Sequence, residues 1–144
     1  MGLTNDEHRN MNIEEIIDNF ALFEDWEDKY RYLISLGDHL PLMPDALKTE
    51  KTKVRGCMSQ VWMALEWNEK GELSFQADSD ALIVRGEVAI LYIVFRGKTA
   101  EEIKKTDIGG IFRKLGLDQH LSPNRRNGFF AMVERIRSFT AQGK

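Results

Sequence analysis

The chain has 144 residues, enough for one domain with its own core, and carries 20 basic and 23 acidic side chains for a net charge of −3. The slight acidic excess argues against a general nucleic-acid binder. The longest apolar run, Val88 to Phe95, falls far short of the roughly 18 residues of a membrane span. A single cysteine, Cys57, excludes an internal disulfide framework and a cysteine-based zinc or iron–sulfur cage within one chain. His8, His39 and His120 lie far apart without metal-ligand spacing, so no metal site is expected.

Residues 1–11, "MGLTNDEHRNM", are polar and lack the apolar segment of a signal peptide, so they read as a mobile tail on a cytoplasmic protein. Asn12 with Glu15 forms a capping-box pattern, and Ile13, Ile16, Ile17 and Phe20 follow at helical spacing. Asp25 opens a second helix with Trp26, Tyr30, Leu33 and Ile34 on its apolar face, and Gly37 ends it. The short link between the two predicts an antiparallel helical hairpin. From Asp38 to Arg55 the periodicity lapses, with Pro41 and Pro44 breaking helix, and a loop leads directly to Cys57.

Alternation of Val61, Met63, Leu65 and Trp67 predicts a strand, "NEKG" a turn, and Leu73, Phe75 and Ala77 the returning strand. "ALIVRG" (81–86) reads as a third strand. "EVAILYIVF" is ambiguous by pattern, since its β-branched residues favour strand while its length suits a buried helix. Thr99 with Glu102 caps a short helix, Asp107 another that ends at Gly116, and Ser122–Pro123 starts a last one. That helix carries Phe130, Val133, Ile136 and Phe139 on one face. The sum, 12–144, is a single α+β domain.

Cys57 lies in "KVRGCMSQVW", at the junction of loop and strand. A lone thiol often serves as a small hydrophobe in the core. Here Gly56 permits close approach of another backbone, and Lys51, Lys53 and Arg55 place positive charge nearby, which favours thiolate. The same basic residues also suit a solvated loop face. A cysteine enzyme needs a histidine base, for which His39 and His120 are the candidates, yet no pattern brings either to the thiol. A relay that exchanges persulfide sulfur needs only the thiolate.

"VRGCMSQVW" (54–62) closely resembles the signature around the active cysteine of the SufE-type sulfur acceptors, a family that includes the CsdE paralogues. "DSDALIVRG" (78–86), "LSPNRRNGFFAMVERIR" (121–137) and "WEDKYRYLISLGDHLP" (26–41) resemble three further blocks of that family, in the same order. The resemblance implies an IscU-like fold in which a small three-stranded antiparallel sheet packs with an N-terminal helical hairpin and C-terminal helices. It also implies that "GEVAILYIVFRG" is a buried helix. Functionally it implies a sulfur acceptor with no cofactor of its own and no turnover alone. Such a protein takes persulfide sulfur from a SufS-type or CsdA-type pyridoxal-phosphate cysteine desulfurase, stimulates that enzyme, and passes sulfur to a SufB-containing iron–sulfur scaffold. A paralogue serving a different sulfur pathway is the nearest alternative, and a homodimer is left open.

By position, Cys57 would carry the persulfide. Arg55, Gly56, Ser59 and Gln60 would shape its loop, Trp62 would anchor the strand beneath, and Asp80 and Arg125 would fix the loop or meet the desulfurase. Met58 stands where the family often has glutamine.

Overall fold

The computed structural model describes residues 12–143, so the predicted tail at 1–11 lies outside the described residues. Helices α1 (Ile13–Leu22) and α2 (Trp26–Leu36) start where their caps predict: Asn12 Oδ1 accepts from the Glu15 N–H at 3.0 Å, and Asp25 Oδ1 from the Asp28 N–H at 2.9 Å. They meet around Tyr32, whose ring packs edge-on against Phe20 and whose hydroxyl takes a hydrogen bond from Asn19. Gly37 ends α2 as its C-terminal cap, in right-handed helical geometry, and leads into a single 3-10 turn, Gly37–His39.

Strands β1 (Val61–Trp67) and β2 (Leu73–Ser79) pair antiparallel in the register Val61 with Ser79 through Trp67 with Leu73. Val61, Met63, Leu73, Phe75 and Ala77 point inward, as the alternation predicts. The turn at Asn68–Gly71 is held by the Asn68 side chain, which accepts from the Lys70 and Glu72 N–H groups.

The predicted third strand is corrected. Residues 82–86 are the first turns of helix α3 (Leu82–Phe95), and the sheet has two strands among the described residues. The edge position next to β1 is taken by a single antiparallel bridge, Lys53 with Trp62, and Glu72 makes another bridge with Thr99. The apolar run of residues 82–95 is one continuous buried helix, with Val88 through Leu91 and Val94–Phe95 all sealed from solvent. Its length, well beyond a typical strand of 5–6 residues, decides against the β-branched content. A Cβ on Gly86 would lie 2.1 Å from the Leu33 carbonyl oxygen, so α2 and α3 approach at a distance that only glycine allows. The resemblance to the acceptor family foresaw this helix where propensity did not.

Helices α4 (Ala100–Lys105), α5 (Ile108–Lys114), α6 (Leu117–His120) and α7 (Pro123–Gln142) complete the chain. The Thr99–Glu102 capping box is present in full, Asp107 caps α5, and Ser122 Oγ accepts from the Arg125 N–H with Pro123 in the first turn of α7. The buried face of α7 is Phe129, Met132, Val133, Ile136 and Thr140. Phe130 stands at its edge against Phe112, and Phe139 stacks on Trp67. α3 is the hub of the core, packing on α1, α2, β2 and α7. No described helix is long and apolar enough to cross a membrane.

Candidate functional site

Cys57 occupies the tip of a narrow loop whose two arms are pinned together below it. The Val54 N–H donates to Val61 O at 2.8 Å, the Met63 N–H to Thr52 O at 2.7 Å, and Lys53 bridges Trp62. Arg135 of α7 clamps the incoming arm by donating from its guanidinium to the carbonyls of Lys51 and Lys53. Asp80 clamps the outgoing arm: its carboxylate accepts from the Gln60 N–H at 3.1 Å, and its own N–H donates to Gln60 O at 3.2 Å. Gly56 turns the tip at φ 91°, a conformation that disfavours any side chain, and presents its face to Ala131.

The thiol itself is half-buried and packs against the core. Its Sγ–H points at the Gly128 carbonyl of α7, 3.5 Å away. A Cβ on residue 128 would stand 3.6 Å from Sγ, so glycine there keeps the space beside the sulfur open. That space is a cleft of about 240 Å³ lined by Cys57, Met58, Ser59, Val84, Glu87, Ser122, Asn124, Arg125 and Gly128. It lies between the loop tip, the first turns of α3 and the N-terminus of α7.

The residues singled out in the sequence divide accordingly. Cys57, Ser59 and Arg125 meet at the cleft. Asp80 and Gln60 hold the loop's base, and Trp62, under the Lys48 ammonium at 5.4 Å, lies in the strand beneath. Arg55 faces away, into a shallow groove beside Ala131, Glu134 and Arg135. The histidines lie elsewhere: His120 stacks on Trp26 with ring centres 3.8 Å apart, His39 sits in the 3-10 turn after α2, and neither lines the cleft.

The electrostatics reverse one expectation. Lys51, Lys53 and Arg55 do not lower the thiol. Burial pushes Cys57 up, and the charge of nearby Glu87 raises it further. Arg55 turns into another groove, and neither Lys51 nor Lys53 lines the cleft beside the thiol. The resting group is therefore the thiol, which oxidises more slowly than a thiolate would.

Glu87 was not anticipated. It is 1% exposed, and burial pushes its carboxyl up to about 8, with the Arg125 charge working in the opposite direction. The sequence held a signal for it, since Glu87 is the one ionisable side chain in the stretch from Gly86 to Ile90. Gly128 and Asn124 carried no such mark.

Taken together, fold and site define an α+β domain that offers one sheltered thiol at the tip of a clamped loop. The family model described as SufE, Fe-S metabolism associated domain, matches residues 14–140, and the chain belongs to that family. It is 47% identical over 135 residues to a SufE-like protein of Rhizobium meliloti strain 1021, covering 92% of this chain and 96% of the relative. A SufE-like protein of Rhizobium etli is 47% identical over 128 residues, covering 87% and 86%. Among solved structures, the solution structure of a hypothetical protein from Thermus thermophilus superposes with a TM-score of 0.72 over 90% of this chain and 93% of that one. At 18% identity that likeness shows the fold alone.

Proposed function

We propose that this protein is a cytoplasmic sulfur acceptor whose Cys57 takes persulfide sulfur from a SufS-type or CsdA-type cysteine desulfurase, stimulates that enzyme, and relays the sulfur towards a SufB-containing iron–sulfur scaffold. The observation that carries the reading is the placement of Cys57 at the extreme tip of a loop clamped only at its base, beside an open cleft. A tip so held can enter another protein's active site without disturbing the sheet below.

In the transfer, Cys57 Sγ attacks the outer sulfur of the desulfurase's cysteine persulfide. A new S–S bond forms to Cys57, and the old one breaks with its electron pair remaining on the desulfurase cysteine. The sulfane sulfur moves without net oxidation or reduction. The proton leaving the Cys57 thiol ends on the released desulfurase thiolate. No group of this chain performs turnover in the scheme, and the pyridoxal phosphate belongs to the partner.

Incubating the protein with a cysteine desulfurase and cysteine, then recording intact mass, tests the reading. The wild type gains the mass of one sulfur atom and Cys57→Ser does not. A wild type without the adduct, or an equal adduct on Cys57→Ser, overturns it.

A further inference from the structure

The cleft beside Cys57 contains a second acid that the transfer step does not use. The Glu87 side chain lines the cleft, is almost fully enclosed, and its Oε1 has no hydrogen-bond partner among the described residues. An ionised carboxylate without partners is costly in such a place, whereas the neutral acid is cheaper and retains a proton to donate. Among the residues that line the cleft, Cys57 and Arg125 are the titratable groups beside Glu87, while the 3-10 turn with Asp38 and His39 and helix α1 with Glu14, Glu15 and Asp18 also pack on α3. Cys57 approaches from the loop and Arg125 from the first turn of α7, at the cleft's exposed rim. Arg85, on the same helix, is turned away to Asp78 and the Gly37 carbonyl. Leu33 from α2 and Phe75 from the sheet, which also pack on α3, do not titrate.

With Glu87 and Cys57 both protonated at neutral pH, the three groups sum to one positive charge, from Arg125. The cleft is thus short of one anion, and it has room beside Sγ because residue 128 is glycine. We propose that Glu87 and Arg125 form a seat for the outer, anionic sulfur of a Cys57 persulfide, the carboxyl group donating a hydrogen bond to it and the guanidinium supplying the opposite charge. This rests on the persulfide reading and names the groups that hold the cargo. Once Glu87 ionises, its carboxylate competes with the persulfide for Arg125 and repels it, so the seat empties as pH rises through about 8.

Inorganic polysulfide is the probe, because it loads the thiol without any desulfurase: the Cys57 thiolate attacks a terminal sulfur, and the shortened polysulfide leaves. The fraction that keeps one extra sulfur is followed by intact mass at about pH 7 and about pH 9 for wild type, Glu87→Gln and Glu87→Leu. In the wild type, retention falls between the two pH values by about tenfold more than in Glu87→Gln, which cannot ionise. Glu87→Leu, with no proton to donate, loses sulfur faster than wild type at the lower pH. In the unloaded protein, the pH midpoint for iodoacetamide alkylation of Cys57 moves down in Glu87→Gln, which a merely structural glutamate would not cause. Equal pH dependence of wild type and Glu87→Gln, an unmoved alkylation midpoint, full retention by Glu87→Leu, or no retained sulfur in the wild type at the lower pH would each overturn the proposal. Failure of transfer from the desulfurase with retention intact would sink only the partner assignment.

Discussion

Gly86→Ala sets helix propensity against a backbone collision. Alanine inside a helix is favoured over glycine by about 1 kcal/mol, so on α3 alone the substitution stabilises. The new Cβ, however, would lie 2.1 Å from the Leu33 carbonyl oxygen and 2.8 Å from its carbon. These are backbone atoms of α2 and cannot rotate aside, so relief requires the two helices to part by about 1 Å. Leu33 and Leu36 are fully buried in that interface, and parting it costs packing along its whole length. Overpacking of this kind typically costs about 1–3 kcal/mol, and an approach this short belongs at or above the upper end. We expect a net loss of about 2 kcal/mol, read as a fall of about 1 M in the urea midpoint by far-ultraviolet circular dichroism with an unchanged slope. A midpoint equal to or above wild type would refute the close-approach argument and with it the assignment of residues 82–86 to a helix packed on α2.

Two further perturbations test the neighbourhood of the cleft. Ser122→Ala removes the hydroxyl that caps α7 and should cost about 1 kcal/mol in thermal unfolding, while loosening the turn that carries Asn124 and Arg125; no measurable change would mean the cap is idle. Burial raises the Glu87 carboxyl from 4.5 to about 8, so its contribution to stability is fully present below about pH 4.5 and drains as pH rises to about 8. The drain amounts to at most about 5 kcal/mol, so the stability of Glu87→Gln relative to wild type should climb through that window in chemical denaturation, and a flat difference would contradict the burial.

The elements that local chemistry specifies were legible in the chain. Side-chain caps at Asn12, Asp25, Thr99, Asp107 and Ser122 act within three residues, so sequence spacing alone reveals them. The alternation in β1 and β2 was equally readable because only one face is buried. What failed was the stretch from Ala81 to Phe95. A helix buried almost all round shows no polar face, and its β-branched residues mimic a strand until tertiary packing decides. At the site, Cys57 announced itself as the lone thiol, and the family resemblance placed Asp80 and Arg125 beside its loop. The basic residues misled, because sequence proximity does not say which way a side chain turns: Arg55 lies two residues from Cys57 and faces another groove. Glu87 and Gly128 reach the thiol from 30 and 71 positions away, and only the packing of α3 and α7 brings them there.

The same geometry relocates the moving part of the molecule. In sequence the whole segment from Asp38 to Arg55 reads as one loop without periodicity, which would leave all of it free to move. The structure instead ties down its latter half, with the Thr52 hydroxyl donating to Leu47 O, Arg135 holding two carbonyls, and Lys53 bridged to β1. Between Val54 and Gln60 the hydrogen bonds thin to the Cys57–Gly128 contact, which at 3.5 Å from sulfur is weak. Excursions of the thiol should therefore be confined to the tip, pivoting on Val54 and Val61. Met58, 81% exposed beside Cys57, would be carried at its leading edge. Native-state hydrogen exchange separates the two pictures: the Val54 and Met63 amides should be protected and those of Met58 and Ser59 should not, whereas a swinging loop would leave Val54 unprotected as well. Asp80→Ala should then speed exchange at Gln60 and alkylation of Cys57 by a few-fold, since one charge-assisted hydrogen bond at an exposed site contributes about 1 kcal/mol. If alkylation does not change, Asp80 does not restrain the tip, and the loop's poise must come from the Cys57 packing alone.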